Sequence, residues 1–173
     1  PKRGKLHNDF NWESKPTKDG KTMKKKPLEL SDSVIALAGA GGGIGRAVVK
    51  TFAPRAKALI SCSRTSDEDE IWDSSWGEKP TTYTHVQGDL TKEDDVKRFL
   101  DYIGEKFGRI DVLINTIGGS LHSYKIEDFP VEKFDEVMRV NFRSAFLLTK
   151  HAIGRMKSNQ DPAGGNIVHF VSS

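Results

Sequence analysis

The sequence predicts an α/β fold, a parallel sheet doubly wound by helices on both faces. Three observations carry that prediction. From Leu28 onward, short apolar runs alternate with longer amphipathic stretches, the pattern of successive βαβ units. The first apolar run, Val34 to Leu37, breaks into Ala38-Gly-Ala-Gly-Gly-Gly-Ile-Gly45 and resumes as a helical stretch. A chain of 173 residues has room for one domain with a sizeable core.

Taken in order, the first strand is expected over residues 33–38. The glycines after it allow positive φ and a close approach of ligand to backbone. The helix they open, about 43–53, offers unpaired N–H groups and the positive end of its dipole, which suits a pyrophosphate. With a strand before and a helix after, the spacing Gly39-x-x-x-Gly43-x-Gly45 reads as a dinucleotide-binding turn. Pro54 ends the helix. The second strand is expected over 58–62, and the polar stretch 65–80 has room for one short helix carrying Trp72 and Trp76. The third strand is expected over 82–87. Thr91 then reads as an N-cap, with Glu93 and Asp94 in the first turn where acids favour the dipole. Val96, Phe99, Leu100, Ile103 and Phe107 follow at helical spacing, one stripe for the sheet. The fourth strand is expected over 110–114. A long helix from Pro130 carries Phe134, Val137, Met138, Ala145, Phe146, Ala152, Ile153 and Met156 on its apolar face. The fifth strand is expected over 167–171. The sheet order implied is 3-2-1-4-5, with a crevice where the order reverses, between the first and fourth strands.

Charge divides the chain. Residues 1–27 hold nine Lys or Arg and three acids, against 18 basic and 21 acidic residues in the remainder. With Leu6, Phe10, Trp12 and Met23 as its only large apolar groups, residues 1–27 form a basic arm expected to be extended or disordered. The arm offers a surface for protein partners, or for nucleic acid with Trp12 and Phe10 as stacking groups; a solvated extension is the plainer reading. No apolar run reaches the length of a membrane span. One cysteine, Cys62, excludes an internal disulfide and a cysteine-rich metal site. With no secretory h-region in the arm, a soluble protein of a reducing compartment is expected, cytoplasm or organelle matrix or stroma. No metal ligand set is expected.

Five signals, Gly39-x-x-x-Gly43-Ile-Gly45, Asp89-Leu-Thr91, Asn115-x-x-Gly118, Asn141 within Val-Asn-Phe142, and Gly165-Asn-Ile-Val-His-Phe-Val-Ser172-Ser173, fall in one order. In that order the chain from Leu28 to Ser173 resembles the classical short-chain dehydrogenase/reductase family. Two departures stand out: Ala38 where the family usually has Thr, and Thr116-Ile117 in place of Asn-Ala. The resemblance implies a Rossmann-like domain over 28–173 and an NAD(P)-dependent oxidoreductase acting on a carbonyl or alcohol. It implies cofactor contacts at Gly39, Gly41, Gly43, Ile44, Gly45, Asp89, Leu90, Asn115 and Gly118. Asp89 is placed to accept from an adenine amino group, or is a solvated turn acid. Asn115 lies beside the crevice, or ties two strands together. Asn141, poor for a mid-helix position, bonds local backbone or holds a water; the family assigns it to a proton relay. Ser172, seven residues after Gly165, is the implied catalytic serine, with Ser173 as runner-up. At the end of the second strand stand Ser63 and Arg64, with no acid for ribose hydroxyls. A guanidinium there suits a 2′-phosphate, so NADP is expected over NAD. The loop 120–125, with His122 and Tyr124, overhangs the expected site; the substrate itself is not legible.

The family's chemistry also needs a Tyr-x-x-x-Lys on the helix after the serine strand. Tyr102-x-x-x-Lys106 precedes Asn115 and is rejected as that pair. The chain is therefore truncated relative to the family. Two readings follow: part of a longer enzyme, which is the one expected, or a short, inactive nucleotide-binding or scaffold subunit of a multi-subunit complex.

Overall fold

The structure is a computed structural model that describes residues 28–65, 70–160 and 162–171. The arm expected over 1–27 and the serines Ser172 and Ser173 lie outside the described residues.

Five parallel strands form one sheet in the order β3-β2-β1-β4-β5, as the sequence implies. They are β1 (Val34–Ala38), β2 (Ala58–Ser63), β3 (Tyr83–Gln87), β4 (Val112–Asn115) and β5 (Asn166–His169). The helices are α1 (Gly43–Phe52), α2 (Glu93–Phe107), α3 (Val131–Met138) and α4 (Ser144–Met156). The period of two along β1 sorts its side chains between two cores. Val34, Ala36 and Ala38 face α2 and α4, packing with Phe99, Leu100, Ile103, Leu147, Leu148 and Met156. Ile35 and Leu37 face α1, packing with Val48, Val49, Ile71, Trp72 and Tyr83. Every residue of β1 is buried, which is why the strand reads as a continuous apolar run. Each fully buried Leu or Ile stabilises this arrangement by about 1.5–3 kcal/mol.

One buried acid fastens the base of the sheet. Asp111, 1% exposed, accepts from Val34 N at 2.9 Å. Its carboxylate also accepts from Arg109 Nε at 2.9 Å and Nη2 at 2.6 Å.

Three local expectations are corrected. Thr91 does not cap α2, whose N-cap is Lys92 without a side-chain bond; the Thr91 hydroxyl donates instead to Asp89 Oδ1 at 2.8 Å. Between 65 and 80 the described residues hold only a 3₁₀ turn, Ser74–Trp76, capped by Asp73. Trp72 and Trp76 meet edge to face at 5.5 Å, closing the α1 side of the core. The long helix from Pro130 is interrupted by a π-helical turn, Arg139–Arg143. Asn141 Nδ2 donates to the Val137 carbonyl at 2.9 Å, inserting a side chain into the backbone ladder, a recognised cause of such bulges. The apolar stripe assigned to that helix also divides. Of its residues Ala152 and Met156 are buried, joined by Leu147 and Leu148 outside the assigned stripe, while Phe134, Met138, Phe146 and Ile153 are exposed, as is Phe142. No helix among the described residues is long and apolar enough to cross a membrane.

Candidate cofactor site

In a parallel sheet the carboxyl ends of all strands open on one edge, and ligands collect where the strand order reverses. Here a crevice of about 560 Å³ lies on that edge. Gly39, Gly41 and Gly42 enter it from β1, Ser63, Arg64 and Thr65 from β2, and Gly88, Asp89 and Leu90 from β3. Thr116, Ile117 and Gly118 enter from β4, with Leu121, Glu136 and Arg139 across the mouth. A wider, shallower hollow of about 850 Å³ adjoins it at the α2 N-terminus, lined by Thr91, Asp135, Met138 and Arg143 among others. That hollow does not touch the glycine turn.

The β1 turn is shaped by contact. Gly39 has φ +92° and donates its N–H to Cys62 O at 2.8 Å. A Cβ there would stand 2.7 Å from Thr116 Oγ1 and 3.0 Å from Ile117 N, so only glycine fits. Gly45, in the first turn of α1, packs directly on the Gly39 carbonyl, leaving no space for a Cβ. Thr116 Oγ1 reaches both Ala38 O and Gly39 O at 3.0 Å, tying the two central strand ends. Gly42, the N-cap of α1, makes no side-chain cap bond, which leaves the helix N-terminus for an external anion. A pyrophosphate fits this cradle. Gly43 and Ile44 stand in the same turn but do not line the crevice, and Ile44 is exposed.

On the β3 side of the crevice, Asp89 is half engaged in its own turn. Its Oδ1 accepts from Thr91 N at 3.1 Å as well as from the Thr91 hydroxyl, and Lys92 Nζ lies 3.9 Å from Oδ2. The Asp89 N–H donates to Asp95 Oδ2 at 2.8 Å. That bond, ahead of the Arg98 guanidinium, holds Asp95 below the ordinary carboxylate range. His85 organises the end of β2, bonding Ser61 Oγ at 2.8 Å, Thr65 O at 3.1 Å and Ser63 Oγ at 3.4 Å. Cys62 lies beneath this floor, its thiol pushed up to about 12, chiefly by burial and then by Asp95. It is inert structure.

On the opposite wall Asn115 is buried behind Ile117, whose N–H donates to its Oδ1 at 3.0 Å. Asn141 clasps the glycine pair beside it: Oδ1 accepts from Gly119 N and Nδ2 donates to Gly119 O, both at 2.9 Å. Over the mouth, Glu136 is held below its usual range, first by the His122 hydrogen bond and then by Lys133. His122 Nε2 stands 2.9 Å from Glu136, fastening the loop 120–125 to α3.

Seven residues named from the sequence thus line one crevice: Gly39, Gly41, Ser63, Arg64, Asp89, Leu90 and Gly118. Asn115, Asn141 and Gly45 support its walls. Sequence reasoning missed His85 and His169, and counted Thr116 only as a departure from the family, although a hydroxyl at a central strand end is a usable signal of a tie. Tyr102 and Lys106 are within 3.1 Å of each other on the exposed side of α2, in its C-terminal half. Because α2 runs antiparallel to the strands, they stand toward the opposite edge of the sheet.

Residues 33–173 match the short chain dehydrogenase family, and the chain belongs to it. It is 34% identical over 128 residues to (+)-borneol dehydrogenase 2 of Salvia officinalis, covering 73% of this chain and 44% of that one. It is 29% identical to the NAD-dependent glycerol dehydrogenase of Listeria innocua, covering 85% of this chain and 55% of the relative. NADH-dependent reductase A1-R′, solved with NAD, superposes with a TM-score of 0.63 at 27% identity, covering 75% of this chain and 54% of the other. The chain spans about half the length of the curated relatives it matches.

These relatives overturn the expected NADP preference. Both that carry a cofactor in their names are NAD-linked. Arg64 lines the crevice but is exposed, and the bond recorded for it among the described residues is Gln87 Nε2 on its carbonyl, at 2.9 Å. Beyond its charge, nothing at this position argues for a 2′-phosphate partner.

Proposed function

We propose that this chain forms the nicotinamide-dinucleotide half of an NAD-linked oxidoreductase that interconverts an alcohol and a carbonyl compound. The observation that carries the reading is the glycine turn of β1 set against Thr116–Gly118 where the strand order reverses, in a member of this family. In this reading the α1 N-terminus and Gly39–Gly42 hold the pyrophosphate. Ser63, set by His85, meets the adenosine ribose, and Asp89 with Leu90 flanks the adenine. Asn115 and Gly118 shape the wall along which the nicotinamide end lies, and Asn141 holds that wall from behind. When bound, the nicotinamide accepts a hydride from the alcohol carbon or returns one to the carbonyl carbon; the hydroxyl proton leaves separately.

The family implies that this proton is handled by a tyrosine and lysine on a helix following β5, with Ser172 orienting the substrate oxygen. Tyr102 and Lys106 do not fill that role from α2. The scaffold alternative rests on residues 1–27, outside the described residues. The test is a fluorescence titration of the native protein with NADH. Saturable binding displaced by NAD is expected; no binding at millimolar NADH overturns the reading.

A further inference from the structure

Behind the Asn115 wall three elements meet at an imidazole to which neither the resemblance nor the reading above assigns a role. His169 on β5 is the register partner of Asn115 on β4, so their side chains stand on one face of adjacent strands. Asn115 Nδ2 is 3.1 Å from His169 Nδ1, and Thr149 Oγ1 of α4 is 3.0 Å from His169 Nε2.

The proton positions follow from the outer partners. Only a carbonyl oxygen accepts from the Ile117 N–H, so Asn115 presents its NH₂ to the imidazole, and Nδ1 must carry a lone pair. The single Thr149 proton goes to Ala145 O at 2.8 Å, so its oxygen accepts and Nε2 must carry the hydrogen. Both sides independently demand the same neutral tautomer. A relay of oriented groups therefore runs from the α4 backbone through Thr149, His169 and Asn115 to the amide of Ile117, a residue of the crevice wall.

We infer that His169 is a positioning residue for the nicotinamide wall: its Nδ1 lone pair fixes the Asn115 amide, and through it the Ile117–Gly118 turn. Asn115 is 2% exposed, so water does not readily replace a lost acceptor, and a buried NH₂ without a partner is costly. Without the imidazole the amide keeps one of the two bonds that orient it, and its hold on the Ile117 N–H loosens. The inference rests on the cofactor reading given above.

Two substitutions separate positioning from packing because the two roles predict opposite orders. His169→Phe keeps a ring and removes both nitrogens. His169→Asn loses the ring but puts Oδ1 at the same bond distance from the backbone as the imidazole Nδ1. In the native full-length protein, positioning predicts NADH binding about tenfold weaker in His169→Phe and near the unsubstituted level in His169→Asn. Hydrogen exchange at the Ile117 amide, read in the folded protein, is expected to quicken in the first variant and not in the second. Undiminished NADH binding and unchanged Ile117 exchange in His169→Phe overturn the inference, as does an Asn variant that is the weaker of the two. If the unsubstituted protein fails to bind NADH, the cofactor reading falls, and the Ile117 exchange still decides whether His169 governs the turn.

Discussion

Gly39→Ala is the most informative single change in the crevice. At φ +92° an L-residue costs about 1–2 kcal/mol relative to ordinary backbone. The new methyl would also stand 2.7 Å from Thr116 Oγ1. Moving that hydroxyl forfeits its tie to the Ala38 and Gly39 carbonyls, worth about 1 kcal/mol. A total of about 2–3 kcal/mol lowers Tm by about 4–12 °C in a domain of this size. The same displacement shifts the β1 turn against Ile117, so NADH affinity should fall about tenfold or more, the equivalent of about 1.4 kcal/mol. Thermal unfolding followed by circular dichroism and NADH titration read the two effects. Adding Thr116→Ala removes the oxygen in the way but leaves the backbone strain, so the double variant should lose less than the two single losses added. An unshifted Tm with normal affinity in Gly39→Ala would refute the steric account, and strict additivity in the double variant would refute the role of Thr116.

Two further predictions concern charge. Arg109→Ala strands the buried Asp111 carboxylate and should cost about 3 kcal/mol in urea denaturation, the low end for a broken buried pair because Arg109 is one-fifth exposed; adding Asp111→Asn, which keeps an acceptor for Val34 N, should recover part of it, and a loss below about 1 kcal/mol would count against the pair. Hydrogen bonds from Lys150 and then His151 hold Glu93 down to about 2, from an ordinary value of 4.5. A depressed acid stabilises the fold above its unfolded pKa and loses that contribution as pH falls through the folded one. Acid unfolding of the parent should therefore show a steeper slope between pH 4.5 and about 2 than that of Glu93→Gln, in which Asp95 and Glu136 still contribute; superimposable profiles would remove Glu93 from the account.

Much of this architecture is legible in the residues because burial on both faces demands it. Val34 to Ala38 is apolar throughout and Ala58 to Cys62 nearly so, with a hydrogen-bonded Ser61 as the exception, since neither side of a central parallel strand meets water. The glycine turn is legible for a related reason: steric exclusion at Gly39 and Gly45 leaves one residue type. What escaped depends on partners distant in sequence or on one unusual bond. The π turn arises where Asn141 competes for a local carbonyl, which residue type alone does not reveal. Thr91 has the chemistry of a cap, and only the proximity of Asp89 shows where its proton goes. The exposed aromatics Phe134, Phe142 and Phe146 recur at helical spacing as a core stripe does, and spacing alone does not show which side of a helix faces the sheet. Arg64 carries the right charge for a 2′-phosphate, but charge at a strand end does not by itself specify the ligand. His169 passed as one residue of a strand because its importance lies in the amide beside it.

The central place of β1 has a consequence for the nascent chain. Val34 finds its β2 partner at Ala58, 24 residues on, but its N–H bonds Asp111, 77 residues away. From Ala58 to Asp111 the chain grows by 53 residues, about 3–11 s at ordinary rates of translation. Over that interval the most apolar strand of the protein has a partner for one flank and none for the other. Closing the larger loop also carries the greater entropic penalty. The ribosome therefore presents a two-stranded β1–β2 unit with α1 before the sheet can be completed.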